Sequence, residues 1–115
     1  RKPPGVGNSH IRVYDVQDGV RCKNGRLFAC IDEGFPDGIA VDTQGNVWSS
    51  SEIGVIVFAS DGTELGRILV PELTGNLCFG GFDGQSLFIA ASTSIYRIET
   101  VTSDAWAGRT GRVAV

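Results

Sequence analysis

The 115-residue chain lacks methionine and contains one histidine, four prolines and three cysteines. One histidine and no Cys-x-x-Cys pair argue against a tetrahedral zinc site. No apolar run approaches the roughly 20 residues of a membrane helix, and no secretory leader pattern stands at the start. Ten basic and thirteen acidic residues give a net charge of −3. This balance disfavours nucleic-acid and anionic-membrane partners, which require a concentrated basic patch.

The cysteines Cys22, Cys30 and Cys78 are odd in number and widely spaced. We expect three reduced thiols that act as small apolar residues, and hence a cytoplasmic location. A Cys22–Cys30 disulfide would require that their strands be neighbours, which the sequence does not decide.

Glycine is abundant, with sixteen residues, which suits short strands joined by tight turns. Alternation of polar and apolar residues predicts β-strands, and no helical period is visible. The predicted strands cover 10–16, 27–31, 38–41, 47–51, 54–58, 65–70, 77–80, 86–91 and 94–98. Turns are predicted at Gln17-Asp18-Gly19 and Asn24-Gly25, a loop is predicted over 1–9, and 100–115 receive no assignment. The fold class is all-β.

The chain also repeats itself with a period of about 40 residues. In this register Asp37 falls on Asn76, and Ile39 falls on Cys78. A repeat of this length with four short strands is typical of a β-propeller blade. An ordinary β-sandwich with recurring turns is the alternative.

The repeats predict a partial β-propeller of about two and a half four-stranded blades. The 1–115 fragment would contain a partial blade over 10–31, a full blade over 37–71, a partial last blade over 76–98 and a C-terminal tail over 99–115. Propellers close with about four to eight blades. We therefore expect either the C-terminal portion of a longer chain, whose upstream blades complete the ring, or a ring closed by self-association. We expect the first of these. Since the chain contains no methionine, we also expect either that a leader has been removed or that the chain is a piece of a longer one.

Asp37 and Asn76 precede the innermost strands of successive repeats, a position that points toward a propeller's central channel. Oxygen ligands of this kind suit Ca²⁺ or a similar divalent cation. From the residues alone, Asp37 is either a metal ligand or part of an Asx turn. Asn76 either lines the channel and contacts substrate or caps the backbone.

The position of further residues in the repeat indicates their roles. Loops on the same face as Asp37 contain Ser50, Ser51 and Glu52, which are candidate substrate-binding residues. Ser92 and Thr93 hold the corresponding positions in the next repeat. The alternative is that these residues are ordinary polar residues of solvated turns. Structural roles are expected for the remainder: turns for Asp42, Asp61 and Asp83, a surface position for His10, and packing between blades for Trp48 and Phe88.

Three segments carry a family resemblance. They are Pro36-Asp37-Gly38-Ile39-Ala40-Val41-Asp42, Gly45-Asn46-Val47-Trp48, and Asn76-Leu77-Cys78-Phe79-Gly80-Gly81 with Asp83-Gly84. In combination they resemble the family of senescence marker protein 30, gluconolactonase and luciferin-regenerating enzyme. The resemblance extends to 10–16 with 24–28, which are similar to that family's fourth-to-fifth blade stretch, and to 92–98, which is similar to its last blade.

The resemblance implies a six-bladed propeller that hydrolyses a sugar lactone or related ester with a divalent metal. Ca²⁺ is the expected ion, and Zn²⁺, Mg²⁺ and Mn²⁺ are alternatives. It implies that Asp37 is both a metal ligand and the catalytic base. The family's other ligands, a glutamate from the first blade and asparagines from intermediate blades, have no counterpart in this sequence. We therefore expect the isolated chain to be inactive and its parent protein to be a lactonase, or alternatively a non-catalytic propeller that binds a ligand or protein on its face.

Overall fold

The fold consists of nine strands in three antiparallel sheets, in a computed structural model that describes residues 9–105. The strands are β1 (His10–Gln17), β2 (Arg21–Cys30), β3 (Ile39–Val41), β4 (Val47–Ser51), β5 (Gly54–Phe58), β6 (Glu64–Leu69), β7 (Thr74–Gly80), β8 (Ser86–Ala91) and β9 (Ile95–Glu99). Between residues 9 and 105 there is no helix, and hence none long and apolar enough to cross a membrane. The all-β prediction is confirmed. The predictions for 1–8 and 106–115 lie outside the described residues.

Each sheet is a meander in which consecutive strands pair. The first sheet holds β1 and β2, the second holds β3 to β6, and the third holds β7 to β9. This order follows from short alternating strands separated by turns, because antiparallel neighbours need only a tight connection. The two-, four- and three-stranded sheets correspond to successive blades of a partial propeller.

Two apolar layers lie on opposite faces of the second sheet. On one face, Ile56 and Phe58 pack with residues of the first sheet. On the other, Trp48 and Val55 pack with Leu77, Leu87 and Ile89 of the third sheet. Because side chains alternate across a strand, neighbouring residues of β4 and β5 serve different layers. The Trp48 ring meets the Phe79 ring edge-on at 5.2 Å, as expected for a residue between blades.

Strand β2 begins at Arg21, so the predicted turn at Asn24-Gly25 is wrong. Asn24 has a left-handed φ of 56°, and the β1–β2 register shifts between Val13 and Asp15. These features mark a β-bulge, where a left-handed residue is tolerated without reversing the chain. The Tyr14 ring occupies the space that a side chain on Gly25 would need. Asn-Gly thus bends the strand and does not end it.

Asp42 holds the turn between β3 and β4. It is 1% exposed, and its carboxylate accepts hydrogen bonds from Trp48 Nε1 at 2.9 Å, from the Gln44 and Asn46 backbone N–H groups at 2.9 Å, and from Asn46 Nδ2 at 3.1 Å. Burial raises the pKa of Asp42, but these hydrogen bonds outweigh it and the pKa lies below the ordinary aspartate value. The turn role predicted for Asp42 is confirmed. Asp61 and Asp83 accept similar backbone hydrogen bonds in their own turns.

All three cysteines are free thiols. Cys22 and Cys30 lie on the same strand, β2, and eight residues of extended chain separate them too far for a disulfide. Cys22 and Cys78 are exposed, and the three free thiols agree with the expectation of reduced cysteines. His10, which was predicted at the surface, is only partly exposed, and its Nδ1 is buried without a hydrogen-bond partner among residues 9–105.

Candidate functional site

The site centres on the loop that leads into β3, where Asp37 stands in an exposed position. Its backbone N–H donates to Ser50 Oγ at 3.1 Å, and the Gly38 N–H donates to the same oxygen at 2.8 Å. The Ser50 N–H in turn donates to the Gly38 carbonyl at 2.9 Å. Three hydrogen bonds to the backbone therefore fix the loop and leave the Asp37 carboxylate free to project from it.

Ser50 is thus placed differently from the substrate contact that was predicted. It is 0% exposed because β4 lies beneath the loop, and its hydroxyl serves the Asp37 and Gly38 amides. The structure gives it a positioning role. Ser51 is also buried, and its Oγ donates to the Gly54 carbonyl at 3.2 Å and accepts from the Ile53 N–H at 3.3 Å, which stabilises the β4–β5 turn.

Asp37 and Asn76 lie side by side, as the repeat suggested, although Asn76 lies within β7 and not before it. Asp37 Oδ2 is 3.7 Å from the point where a Cβ on Gly75 would stand. Asn76 Oδ1 accepts a hydrogen bond from the Leu77 N–H at 2.8 Å. A carbonyl oxygen has a second lone pair, so the backbone contact leaves Asn76 able to bind a further partner.

Two adjoining hollows open beside Asp37. The larger, of about 560 Å³, is lined by Gly34, Phe35, Pro36, Asp37, Ser51, Glu52, Leu73 and Thr74. The second, of about 400 Å³, is lined by Asp37, Leu73, Thr74, Gly75, Asn76, Ala90, Ala91 and Ser92. Together they form one groove, which we call the Asp37 groove. Glu52, predicted as a substrate contact, is exposed on its wall, and Ser92 lies at its other end.

Glu72, next to Leu73 of the Asp37 groove, connects two segments of the chain through hydrogen bonds. Its carboxylate accepts hydrogen bonds from the Thr93 N–H at 2.9 Å and from the hydroxyls of Thr93, Ser94 and Tyr96 at 3.0 Å. The Thr93 amide, followed by the Tyr96, Ser94 and Thr93 hydroxyls, lowers the pKa of Glu72 against a smaller opposing effect of burial. The β8–β9 turn is thereby tied to the segment that enters β7.

The sequence reasoning missed Phe35, Glu72 and Leu73. Phe35 and Leu73 are apolar, and no motif marks an apolar side chain as part of a polar site. The repeat did not mark them either, because in its register Phe35 falls on Thr74 and Leu73 falls on Gly34.

Gly38 is required by the contact between the second and third sheets. A Cβ at this position would stand 2.6 Å from Asn76 Cα and would overlap Asn76 Oδ1. We expect Gly38→Ala to lower the free energy of unfolding of the chain by about 1–3 kcal/mol, because backbone and side chain must both move. Urea denaturation measures this.

The matched control is Gly66→Ala in β6, where an added Cβ would meet no described atom within 4 Å. We expect Gly66→Ala to leave the unfolding midpoint unchanged or slightly raised. Equal losses in the two variants would contradict the close packing assigned to Gly38.

The Asp37 groove offers hard oxygen ligands to a cation. The Asp37 carboxylate is exposed, and Asn76 lines the second hollow with Asp37. Carboxylate and amide oxygens are the donors that Ca²⁺, Mg²⁺ and Mn²⁺ prefer. Among residues 9–105 no group of three His, Cys, Asp or Glu residues is close enough to hold a metal. The described residues therefore fit part of a cation site and do not complete one.

Comparison with known proteins identifies relatives of this chain. The sequence profile of the "SMP-30/Gluconolactonase/LRE-like region" matches residues 6–93. A gluconolactonase of Zymomonas mobilis is 44% identical over 71 residues, which cover 60% of this chain and 20% of that protein. The pentonolactonase XacC of Haloferax volcanii is 44% identical over 84 residues, which cover 70% of this chain and 29% of that protein.

Solved structures show the same fold. The gluconolactonase XC5397 of Xanthomonas campestris superposes with a TM-score of 0.71 at 36% identity, over 83% of this chain and 30% of that structure. The chain thus spans less than a third of the length of these three relatives. With the profile match over most of its length and the shared blades, the chain belongs to the SMP-30/gluconolactonase/LRE-like family.

Proposed function

We propose that the protein to which these blades belong hydrolyses a sugar lactone in a reaction that depends on a divalent cation, with Asp37 as a cation ligand and the catalytic base. The observation that carries the proposal is the exposed Asp37 carboxylate, held on a hydrogen-bonded loop beside Asn76. Two relatives that share 44% identity with the chain are named for the hydrolysis of lactones.

Asp37 and Asn76 are the residues of this chain that would hold the cation through their side-chain oxygens. A bound divalent cation supplies polarisation of the lactone carbonyl and stabilises the developing negative charge. Ca²⁺ is our proposed ion because both donors are hard oxygens.

Asp37 has the chemistry of a general base. An ionised carboxylate can accept the proton of a water molecule as that water attacks the lactone carbonyl carbon. The new C–O bond forms, the ring ester C–O bond breaks, and the ring oxygen takes the proton from Asp37. It leaves as a hydroxyl group, so that the product is a hydroxy acid and the Asp37 carboxylate is regenerated. The hydrogen bonds from Asp37 and Gly38 to Ser50 would hold the base in place during this transfer.

The 115 residues alone are proposed to be inactive. Ca²⁺ takes about six to eight oxygen ligands, and the described residues provide no acidic cluster of three. The remaining ligands would come from other blades of a closed ring, either upstream blades of the same chain or further copies.

Removal of the cation tests this proposal. In the intact protein that contains these blades, we expect prolonged dialysis against EDTA to reduce hydrolysis of glucono-δ-lactone to the spontaneous rate, because the carbonyl is then no longer polarised. Adding Ca²⁺ should restore the activity, and a titration with Mg²⁺, Mn²⁺ and Zn²⁺ would rank the ions. A pH-stat assay, corrected for spontaneous opening, measures the rate.

The control is the 115-residue chain assayed with and without Ca²⁺, for which we expect the spontaneous rate in both cases. Full activity of the intact protein after EDTA treatment would contradict the cation dependence. The absence of any activity toward lactones in the presence of every ion would favour a propeller that binds a partner without catalysis.

A further inference from the structure

Leu73 is an apolar residue in an unusual place, with 60% of its surface exposed on the walls of both hollows beside Asp37. Phe35, which is 50% exposed, lines the larger hollow with it. Single exposed apolar residues are common on protein surfaces. Here two of them line one hollow together with a carboxylate, which is the usual composition of a small-molecule site.

The Leu73 backbone is held rigidly. Its carbonyl accepts hydrogen bonds from the Ser92 N–H at 3.0 Å and from Ser92 Oγ at 3.5 Å. The preceding residue, Glu72, is tied to the β8–β9 turn by four further hydrogen bonds. The Leu73 backbone is therefore fixed by a network that extends from β7 to β9, and little backbone conformational entropy would be lost when a ligand packs against this residue.

The larger hollow also has polar lining residues. Glu52 and Asp37 contribute carboxylates, while Phe35 and Leu73 contribute hydrocarbon. A ligand that matches this mixed lining has both hydrogen-bond donors and an apolar face. A lactone with hydroxyl groups on one edge and unsubstituted or alkylated carbons on the other has this character.

We propose that Leu73 and Phe35 are specificity-determining residues, which contact the hydrocarbon side of the lactone ring and favour lactones with a deoxygenated or alkylated edge. The inference rests on the proposed lactonase function and adds the substrate class. Glu72 is then a positioning residue, since it acts through Leu73 and does not line either hollow beside Asp37.

The test compares two lactones in the intact protein. The value of kcat/KM is measured for δ-hexalactone, which carries an alkyl group, and for fully hydroxylated glucono-δ-lactone. We expect Leu73→Ser to lower the ratio of kcat/KM for hexalactone to kcat/KM for gluconolactone by about tenfold. The substitution removes carbon atoms of Leu73 that the bound lactone would cover, and the loss of a few such contacts has an effect of this order. Phe35→Ala should lower the same ratio.

The control is Leu65→Ser, which replaces a similarly exposed leucine (57% exposed) on β6, away from the Asp37 groove. We expect the control to keep the wild-type ratio, and thermal unfolding should confirm that all variants are folded. An unchanged ratio in both Leu73→Ser and Phe35→Ala, with lactone hydrolysis intact, would overturn the inference and leave the proposed function standing. If the unmodified protein opens neither lactone, the proposed function fails and the inference fails with it.

Discussion

Asp37→Asn in the intact protein is expected to lower kcat for lactone hydrolysis by about 10²–10⁴-fold, the contribution of a general base, and to weaken cation binding as well. The substitution keeps the shape of the side chain and removes its charge. The fold should persist, because the hydrogen bond that anchors this position comes from the Asp37 backbone N–H to Ser50 and not from the carboxylate. Initial rates over a range of Ca²⁺ concentrations would separate the loss of the base from the loss of cation affinity.

Asp61→Asn is the matched control. Asp61 is an exposed aspartate in the β5–β6 turn, where its carboxylate accepts the Thr63 N–H at 2.9 Å. An amide oxygen can accept the same hydrogen bond, so we expect wild-type kcat and KM. If Asp37→Asn retains the activity of this control, Asp37 is neither base nor essential ligand.

Asp42→Ala is expected to lower the free energy of unfolding of the chain by about 3 kcal/mol. The substitution removes a buried acceptor that satisfies four donors and leaves the Trp48 indole and two backbone amides without a partner, and each buried unsatisfied donor costs about 1–3 kcal/mol before relaxation. The packing of Trp48 against Phe79 joins the second and third sheets. The loss should therefore be visible in urea denaturation followed by tryptophan fluorescence.

The pH dependence of stability gives an independent check on Asp42. Its pKa in the folded chain lies below the ordinary value of 3.8, so near and below that pH the unfolded state binds more protons than the folded state. The stabilisation is present above pH 3.8 and is lost as the pH falls through the folded-state pKa. Asp42→Asn should weaken this acid sensitivity. If Asp42→Ala lowers the free energy of unfolding no more than Asp61→Ala does, the role assigned to Asp42 is contradicted.

The strands were predictable where local pattern and tertiary environment agree. Strands β4, β5 and β8 begin and end where alternation placed them. Strands β4 and β5 face buried layers on both sides, and β8 packs Leu87 and Ile89 into one of these layers. The Asn24-Gly25 prediction failed because a turn signal is local, whereas the pairing of β1 with β2 is set by contacts along the whole hairpin. The left-handed residue that such a dipeptide supplies suits a bulge as well as a turn.

The centre of the candidate site was also predictable, but its surroundings were not. The repeat placed Asp37 beside Asn76, and the structure brings them together. The burial of Ser50 depends on how the loop folds over β4, and sequence polarity does not distinguish a serine under a loop from one on its surface. Leu73 was not predicted to lie in the groove, because a leucine suggests a core position, whereas the structure leaves this one exposed.

The most direct test of this account is a crystal structure of the intact protein soaked with Ca²⁺ or Mn²⁺, with anomalous diffraction used to locate the ion. We predict a single strong peak in the Asp37 groove, about 2.3–2.6 Å from a carboxylate oxygen of Asp37 for Ca²⁺, with further oxygen ligands from blades outside residues 9–105. A fully loaded crystal with no ion beside Asp37, or with its ion bound at another site, would contradict the claim that Asp37 is a metal ligand.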